Sequence, residues 1–427
     1  MLERGISRIY KCKMRLFLNI LFTIAVVLAT DEKVTFENFK VYRILPQTEQ
    51  HVDLLNQIKQ DDNFLFWNGP AFVNNSVDLM VAPEQTIEFE NRMNFIGINY
   101  NTFIENVQGL IDTENPRKKT NSEFAFNEYH TLDEIYDHLE SLSKNHNVVQ
   151  VVDAGKTTEG RSIKGVKISY KKENPGIFIE AGIHAREWIT PATALYLINQ
   201  LLNSKENSIR QLAENYNWYI FPSFNPDGYV YTHNKNRLWR KTRSKKNKFC
   251  PGVDANRNWG FKWMSGGASS FPCAETYAGS EEFSEPETKS MANYIKSISN
   301  EIFAYISFHS YSQLLMFPYG HTKSHLDNYD EELSMGKKAI AALQQRYGTK
   351  YVTGNIAETI YIASGSSSDW VKGTLKLPVV FTYEFRDKGR YGFLLPASQI
   401  TPNGEEIVDS LIAMFEEAAR FGYPKRT

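Results

Sequence analysis

The sequence predicts an α/β protein in which a mixed central β-sheet is covered by helices on both faces, preceded by a small ferredoxin-like α+β domain. From about residue 129 onward, short apolar strands alternate with helical stretches, an order typical of a sheet covered on both faces. Residues 36–104 follow the order β-α-β-β-α-β, the split arrangement of ferredoxin-like domains. With 427 residues, the chain is long enough for two or three domains.

The start of the chain has the pattern of a secretory signal. An apolar run at 16–28 has the length of a signal-peptide core, is short for a membrane span and is followed by the small residue Ala29. We therefore expect a signal peptide at residues 1–29, with translation from Met1 or Met14, and a secreted, extracellular monomer without stable membrane association. An uncleaved N-terminal anchor is the alternative. The net charge of −1 gives no reason to expect a nucleic-acid partner.

Residues 30–112 are expected to form the ferredoxin-like domain. Its second helix should begin near a proline and has acidic residues in its first turn, both typical of a helix N-terminus. The predicted elements are a strand at 36–44, a helix at 48–59, strands at 64–67 and 77–81, a helix at 83–93 and a strand at 97–104.

A polar connector at residues 113–123 follows. It contains the basic cluster Arg117, Lys118 and Lys119, and an exposed connector of this kind is a preferred site of proteolysis. Because a secretory signal precedes this connector and a candidate hydrolytic site follows it, we interpret the cluster as an activation site for a trypsin-like protease. An ordinary interdomain linker is the alternative.

The second predicted domain spans residues 124–427 and opens with a helix whose capping box is formed by Thr131 and Glu134. Sheets of this type bind ligands at the carboxyl ends of their strands, so polar residues at these ends are functional candidates. The predicted strands lie at 148–153, 163–170, 177–183, 218–221, 302–308, 313–317 and 379–385, and the later helices at about 285–298, 330–346 and 404–420.

His184 and Glu187 lie where one of these strands ends and a helical pattern begins. A spacing of three places both side chains on one side of a helical turn, and an imidazole with a carboxylate makes half of a zinc site. This pair is a weak signal by itself. His309 closes another apolar strand, where an unpaired imidazole is costly to bury, and is the best third ligand; a core histidine bonded to a neighbour is the alternative. Asp254 is expected to orient a ligand imidazole.

Glu384 ends a further apolar strand. A carboxylate in this position can take a proton from an activated water and pass it to a leaving amine, which makes Glu384 a candidate general base. An ion pair with Arg386 or with another surface charge is the alternative.

The chain has three cysteines, of which Cys12 precedes the apolar core of the predicted signal. The other two, Cys250 and Cys273, are an even number in a predicted secreted chain. This count favours a disulfide between them.

Several blocks of the sequence resemble those of the pancreatic-type zinc metallocarboxypeptidases, the A/B subfamily. They occur in the family's order and, together, cover the chain from about residue 34. The resemblance implies the zinc carboxypeptidase fold, an inhibitory propeptide as the first domain and a secreted, A-like proenzyme. The blocks are Gly-Ile-His-Ala-Arg-Glu-Trp-Ile-Thr at 182–190, Asn-Arg-Leu-Trp-Arg-Lys-Thr-Arg at 236–243, Gly-Val-Asp-Ala-Asn-Arg-Asn-Trp at 252–259, Phe-His-Ser-Tyr-Ser-Gln at 308–313, and those at 360–370 and 381–399.

The resemblance also implies a role for each matched residue. His184, Glu187 and His309 match the ligands of one Zn²⁺. Glu384 matches the base for water attack on the C-terminal peptide bond, and Arg240 matches the group that stabilises the oxyanion. The matched substrate-binding positions are Arg186, Asn256, Arg257, Ser310, Tyr311, Tyr361, Ser368 and Phe393.

Within that set, Asn256 and Arg257 match the clamp on the substrate's terminal carboxylate, for which the planar guanidinium is better suited than a lysine. Tyr361 matches a mobile tyrosine that closes over the last residue of the substrate. The outer groove is matched by Arg186, Ser310, Tyr311 and Phe393, and the cysteine pair matches the family's disulfide.

The C-terminal residue that is released depends on the pocket around Ser368. In the family, an aliphatic residue at this position gives A-type specificity and an acid gives B-type specificity, and Ser368 is neither. The other matched pocket positions, Ile356, Ile360, Ala363 and Thr382, are uncharged, so a buried lysine or arginine would lack a counter-ion. We therefore expect peptide and protein substrates with apolar or aromatic C-terminal residues, with B-type specificity for Lys or Arg as the alternative.

Two other functions are alternatives. One is a catalytically silent protein that binds peptide termini on the same scaffold, but neither a ligand nor the base is lost from the sequence. The other is an amidase that acts on non-peptide acyl-amino acids, which the carboxylate clamp together with Tyr361 disfavours.

Overall fold

The computed structural model describes residues 32–58, 64–69, 72–116, 124–247 and 249–424. The predicted signal peptide and the predicted activation site at Arg117, Lys118 and Lys119 lie outside these residues. Within the described ranges, no helix combines the length and apolar character needed to cross a membrane.

The first domain is an antiparallel sheet with two helices on one face. Its strands have the order β2-β3-β1-β4, which is the split ferredoxin-like arrangement. Apolar side chains of the two helices α1 (Glu49–Ile58) and α2 (Thr86–Ile96) pack on the sheet in one core. The strands are β1 (Lys40–Leu45), β2 (Phe64–Asn68), β3 (Val77–Val81) and β4 (Asn99–Ile104).

The structure contains a third helix here that the sequence analysis did not predict. Helix α3 (Val107–Glu114) begins after Asn106, whose side chain accepts a hydrogen bond from the backbone N–H of Gln108. It crosses the predicted boundary between residues 112 and 113. Its apolar residues Val107, Leu110 and Ile111 pack in a cluster formed by both domains. Its last residue, Glu114, is buried where it pairs with Arg237 of the second domain.

The second domain is built on an eight-stranded mixed sheet with the order β11-β10-β12-β9-β7-β8-β6-β5. The central pairs β8–β7, β7–β9 and β9–β12 are parallel, whereas β5–β6, β6–β8 and β10–β12 are antiparallel. The strands are β5 (Val149–Lys156), β6 (Ser162–Ile168), β7 (Gly176–Ala181), β8 (Asn217–Phe221), β9 (Ile302–His309), β10 (Leu314–Phe317), β11 (Val352–Asn355) and β12 (Val379–Glu384).

Helices cover both faces of this sheet, as predicted. Along β7, Ile177 and Ile179 belong to one core while Phe178 belongs to the other, since successive side chains of a strand point to opposite faces. A central strand buried on both faces is therefore largely apolar, with Glu180 as the exception on β7. The helices are α4 (Leu132–Asn145), α5 (Ile189–Asn203), α6 (Asn207–Asn215), α7 (Pro226–Asn234), α8 (Pro286–Ser297), α9 (Tyr329–Tyr347), α10 (Ile356–Thr359), α11 (Ser367–Trp370) and α12 (Ile400–Arg420).

Candidate active site

Three parallel strands end side by side and carry the site. The chain after β7 holds His184 and Glu187, β9 ends at His309, and β12 ends at Glu384. The register of β9 and β12 pairs His309 directly with Glu384. Because parallel strands present their carboxyl ends at one edge of a sheet, side chains far apart in sequence line one pocket.

His184 and Glu187 lie in a turn and not on a helix, which corrects the sequence-based expectation. Gly182 has a φ of +69°, a left-handed conformation that glycine adopts without a steric penalty. The backbone N–H of Glu187 then donates to the carbonyl of His184 at 3.2 Å, and α5 begins only at Ile189. The turn brings both side chains to the strand ends.

The ligand atoms of His184, Glu187 and His309 converge in the interior. His184 Nδ1 lies 2.7 Å from Glu187 Oε1 and 3.1 Å from His309 Nδ1. His309 Nδ1 in turn lies 3.2 Å from Glu187 Oε2. In the described part of the chain, these three form the group placed to hold a metal ion. Two imidazole nitrogens that face each other repel through their lone pairs unless a cation or a proton lies between them. With the carboxylate they make the His₂Glu donor set of catalytic zinc sites, so the residues fit Zn²⁺.

Asp254 orients this centre from behind. Its Oδ1 accepts hydrogen bonds from His184 Nε2 at 3.1 Å and from the backbone N–H of Asn256 at 2.9 Å, and its Oδ2 accepts from Arg240 Nη2 at 2.9 Å. A carboxylate at Nε2 keeps the His184 proton there and turns the Nδ1 lone pair towards the centre. Burial acts to raise the pKa of Asp254, but the neighbouring guanidinium of Arg240 outweighs this effect and holds the pKa well below its usual range.

Glu384 is half-buried and lines the same pocket. Burial raises the pKa of its carboxyl above the ordinary value, against the opposing effect of His309. The alternative ion pair is not formed, because Arg386 donates to Glu406 at 2.6 Å instead. A carboxylate with a raised pKa beside a metal site is suited to accept and return a proton.

Asn256 and Arg257 lie in a short 3₁₀ turn, Ala255–Arg257, and line the pocket. Asn256 Oδ1 accepts a hydrogen bond from the backbone N–H of Ser367 at 3.0 Å. The Arg257 guanidinium is fixed by two hydrogen bonds: Nε donates to the Gly267 carbonyl at 3.0 Å, and Nη1 donates to the Asn256 carbonyl at 2.8 Å. The Tyr361 ring centre lies 5.9 Å from Arg257 Cζ.

The hydroxyls of Ser368 and Thr382 form a polar pair in the lining of the pocket. Both side chains are buried, and their oxygens are 2.7 Å apart. One hydroxyl donates to the other, so the pair keeps one O–H that is free to donate. The apolar side chains of Ile356, Ile360 and Ala363 also line this pocket.

The four predicted groove residues divide into two groups. Ser310, Tyr311 and Phe393 line the pocket, whereas Arg186 does not. Arg186 is buried beside them, where its Cζ lies 4.1 Å from the Phe393 ring centre and its Nη1 donates to Glu275 at 3.2 Å.

The first domain also contributes to the pocket, as expected for an inhibitory propeptide, through residues that the sequence did not identify. Trp67, Asn68 and Gly69 line it. The ring centres of Trp67 and Phe393 are 5.4 Å apart, and a Cβ added at Gly392 would lie only 2.8 Å from the Trp67 ring. No motif marks these residues, because their place in the site depends on how the two domains dock.

One ion pair within the first domain and one between the domains help to hold the two domains together around this pocket. Asp78 binds Arg43 through two hydrogen bonds of 2.7 Å and also accepts from the Tyr311 hydroxyl at 2.9 Å. At the end of α3, buried Glu114 accepts hydrogen bonds from Arg237 Nε at 2.6 Å and Nη2 at 2.8 Å.

The predicted disulfide is present. Cys250 and Cys273 are bonded, with their Cα atoms 4.8 Å apart. The bond closes the loop that follows Arg240 and contains Asn256 and Arg257.

Comparisons with known proteins agree with this site. A family model described as zinc carboxypeptidase matches residues 135–410, and one described as carboxypeptidase activation peptide matches residues 42–114. Zinc carboxypeptidase A 1 of Anopheles gambiae is 42% identical over 410 residues, which cover 94% of this chain and 95% of that protein. Carboxypeptidase A1 of Homo sapiens is 38% identical over 405 residues, which cover 92% of this chain and 96% of that protein.

Solved structures agree as well. Thrombin activatable fibrinolysis inhibitor matches with a TM-score of 0.83 at 32% identity, covering 90% of this chain and all of that chain. Carboxypeptidase A from Helicoverpa armigera matches with a TM-score of 0.82 at 29% identity, covering 91% and 99%. The chain therefore belongs to the zinc carboxypeptidase family. It is a zinc-dependent hydrolase with the architecture of a carboxypeptidase A proenzyme, which confirms the predicted resemblance, fold class and cofactor.

Proposed function

We propose that this chain is a secreted zymogen whose processed form removes single residues from the C-termini of peptides and proteins. The observation that carries the proposal is the meeting, in one pocket, of the metal triad, the carboxylate Glu384 and the guanidinium of Arg257. Hydrolytic groups and an anion-binding group in one pocket suit a substrate whose scissile bond lies next to a free carboxylate.

In the proposed reaction, His184, Glu187 and His309 hold zinc, which supplies Lewis acidity at the scissile carbonyl when bound. Glu384 takes a proton from the attacking water and delivers it to the leaving amine. Arg240, fixed by Asp254, stabilises negative charge that develops on the carbonyl oxygen.

Asn256 and Arg257 bind the terminal carboxylate, and Tyr361 closes over the last residue. An internal peptide bond has no carboxylate at this position, so the clamp restricts the enzyme to chain ends. The rigid guanidinium of Arg257, with two of its nitrogens already bonded to backbone carbonyls, supports this role.

For the residue released, we propose an apolar or aromatic side chain. The apolar lining by Ile356, Ile360 and Ala363, and the absence of a charged side chain at Ser368 and Thr382, support this preference. The one free O–H of the Ser368–Thr382 pair also allows a phenolic hydroxyl or a water at the base of the pocket. B-type specificity is less favoured because no carboxylate there would pair with Lys or Arg.

We propose that the first domain, residues 30–112, keeps the enzyme inactive until a trypsin-like protease cuts at Arg117, Lys118 or Lys119 in the connector 113–123. The packing of Trp67 on Phe393 and the bond between Tyr311 and Asp78 support inhibition by occlusion of the groove. Secretion after removal of residues 1–29 is supported by the disulfide, which is typical of oxidising compartments.

Treatment of the full-length chain with trypsin tests this proposal. The product, residues 124–427 with a short N-terminal extension, should hydrolyse N-blocked peptides with a free C-terminus, leave the same peptides with a C-terminal amide intact, and lose activity with a zinc chelator. A processed, zinc-loaded protein that binds but never cuts these peptides would establish the silent binding protein instead. Hydrolysis of acyl-amino acids without hydrolysis of peptides would establish the amidase.

A further inference from the structure

Glu180 is a buried carboxylate near the pocket that takes no part in the proposed reaction. It lies on the central strand β7, opposite Ser307 of β9, and is fully buried. Burial of a carboxylate is unfavourable unless its oxygens are bonded. In the part of the chain that the structure describes, one of its oxygens, Oε2, accepts no hydrogen bond, so Glu180 is a costly residue for a strand that is otherwise apolar.

The other oxygen joins three elements of the site. Glu180 Oε1 accepts hydrogen bonds from the Ser307 hydroxyl at 2.9 Å and from the Ser367 hydroxyl at 2.7 Å. Ser307 lies two residues before His309 on the same face of β9, and Ser367 is the first residue of α11. The carboxylate therefore links β7, β9 and the start of α11.

Ser367 carries this link to the carboxylate clamp. While its hydroxyl donates to Glu180, its backbone N–H donates to Asn256 Oδ1 at 3.0 Å. That bond sets which end of the Asn256 amide is the acceptor and directs Nδ2 to the other side, where it lies 3.3 Å from His309 Nε2. The position of the clamp amide thus depends on where Ser367 is held.

We propose that Glu180 is a positioning residue for the carboxylate clamp, and that it acts on Asn256 through Ser367. This inference rests on the proposed function, in which Asn256 binds the terminal carboxylate of substrate and product.

Ser367→Ala and Ser307→Ala form a matched pair of variants. Each removes one hydroxyl bond to the same oxygen of Glu180, but only Ser367 is bonded to Asn256. The probe is free L-phenylalanine, a product with the terminal carboxylate, and its Kd is measured by calorimetry on the trypsin-processed, zinc-loaded protein. The kcat on an N-blocked dipeptide ending in phenylalanine and the thermal midpoint are measured in parallel.

We expect Ser367→Ala to weaken L-phenylalanine binding about tenfold with kcat changed less than about threefold, and Ser307→Ala to leave the Kd within about twofold. Glu180→Ala should lose as much affinity for L-phenylalanine as Ser367→Ala does. The double variant of Glu180→Ala and Ser367→Ala should lose no more affinity than either single variant. Glu180→Gln keeps an acceptor oxygen and should bind nearly as the parent does.

The proposal would be overturned if the two serine variants lost equal affinity for L-phenylalanine, or if the losses of affinity were additive in the double variant. The serine pair decides it even where Glu180→Ala does not fold. A parent protein that binds L-phenylalanine but cuts no peptide would instead contradict the proposed function, so the two failures are distinguishable.

Discussion

Replacement of Glu114 by alanine should release the first domain from the second after the connector is cut. Glu114 and Arg237 are 3% and 2% exposed and make two hydrogen bonds. Removal of one partner of such a buried pair costs about 3–5 kcal/mol. Arg237 keeps its bonds to the carbonyls of Arg186 and Phe393, so we take the lower end. About 3 kcal/mol corresponds to roughly 150-fold weaker binding of the cleaved propeptide.

The assay is recovery of peptidase activity when the trypsin-cut, full-length protein is diluted. Parent and variant are compared by the protein concentration at which half of the activity is inhibited. Glu105→Ala is the control, because Glu105 is an acidic residue of the same domain but is 75% exposed. It pairs with Lys40 at 3.3 Å, and a surface pair of this kind has little energetic value. The reasoning would be refuted if the half-inhibition concentrations of Glu114→Ala and the parent agreed within about threefold.

Three further predictions follow from the site and the core. Glu384→Gln removes the proposed base and should lower kcat by about 10²–10⁴-fold with the zinc content unchanged by metal analysis; a loss below tenfold would exclude this role. Ser368→Asp places a carboxylate in the pocket and should move the preference towards C-terminal Lys or Arg, measured on peptides that differ only in the last residue; an unchanged order of preference would contradict the pocket assignment. Burial raises the pKa of Glu287 from 4.5 to about 7, so the folded protein keeps a proton that the unfolded chain has lost, and stability falls as the pH rises from about 4.5 through 7. Glu287→Gln should remove that fall, on the order of 3 kcal/mol, in urea unfolding at pH 5 and pH 8, whereas the exposed control Glu282→Gln should retain it.

Local pattern was sufficient for most elements of the fold but not for those whose partners lie in another domain. The apolar strands that end at His309 and Glu384 were predictable because residues buried on both faces of a sheet are apolar throughout. Helix α3 was not predicted, since its apolar residues pack partly against the second domain and its last residue, Glu114, pairs there with Arg237. The turn at His184 was expected to be helical because spacing alone does not distinguish a turn from the first residues of a helix.

The sequence by itself determined the family and the donor set for zinc and predicted the residues of the clamp, because these depend on side-chain types at fixed spacings in recognisable blocks. Tertiary structure alone decided that the ends of three parallel strands bring His184, His309 and Glu384 together, and that Trp67 of the first domain packs on Phe393 of the second. It also revealed Glu180, whose bonds to Ser307 and Ser367 join residues 127 and 187 positions apart. Contacts of this kind depend on strand register and domain docking, which are set by packing across the whole molecule and leave no local pattern in the chain.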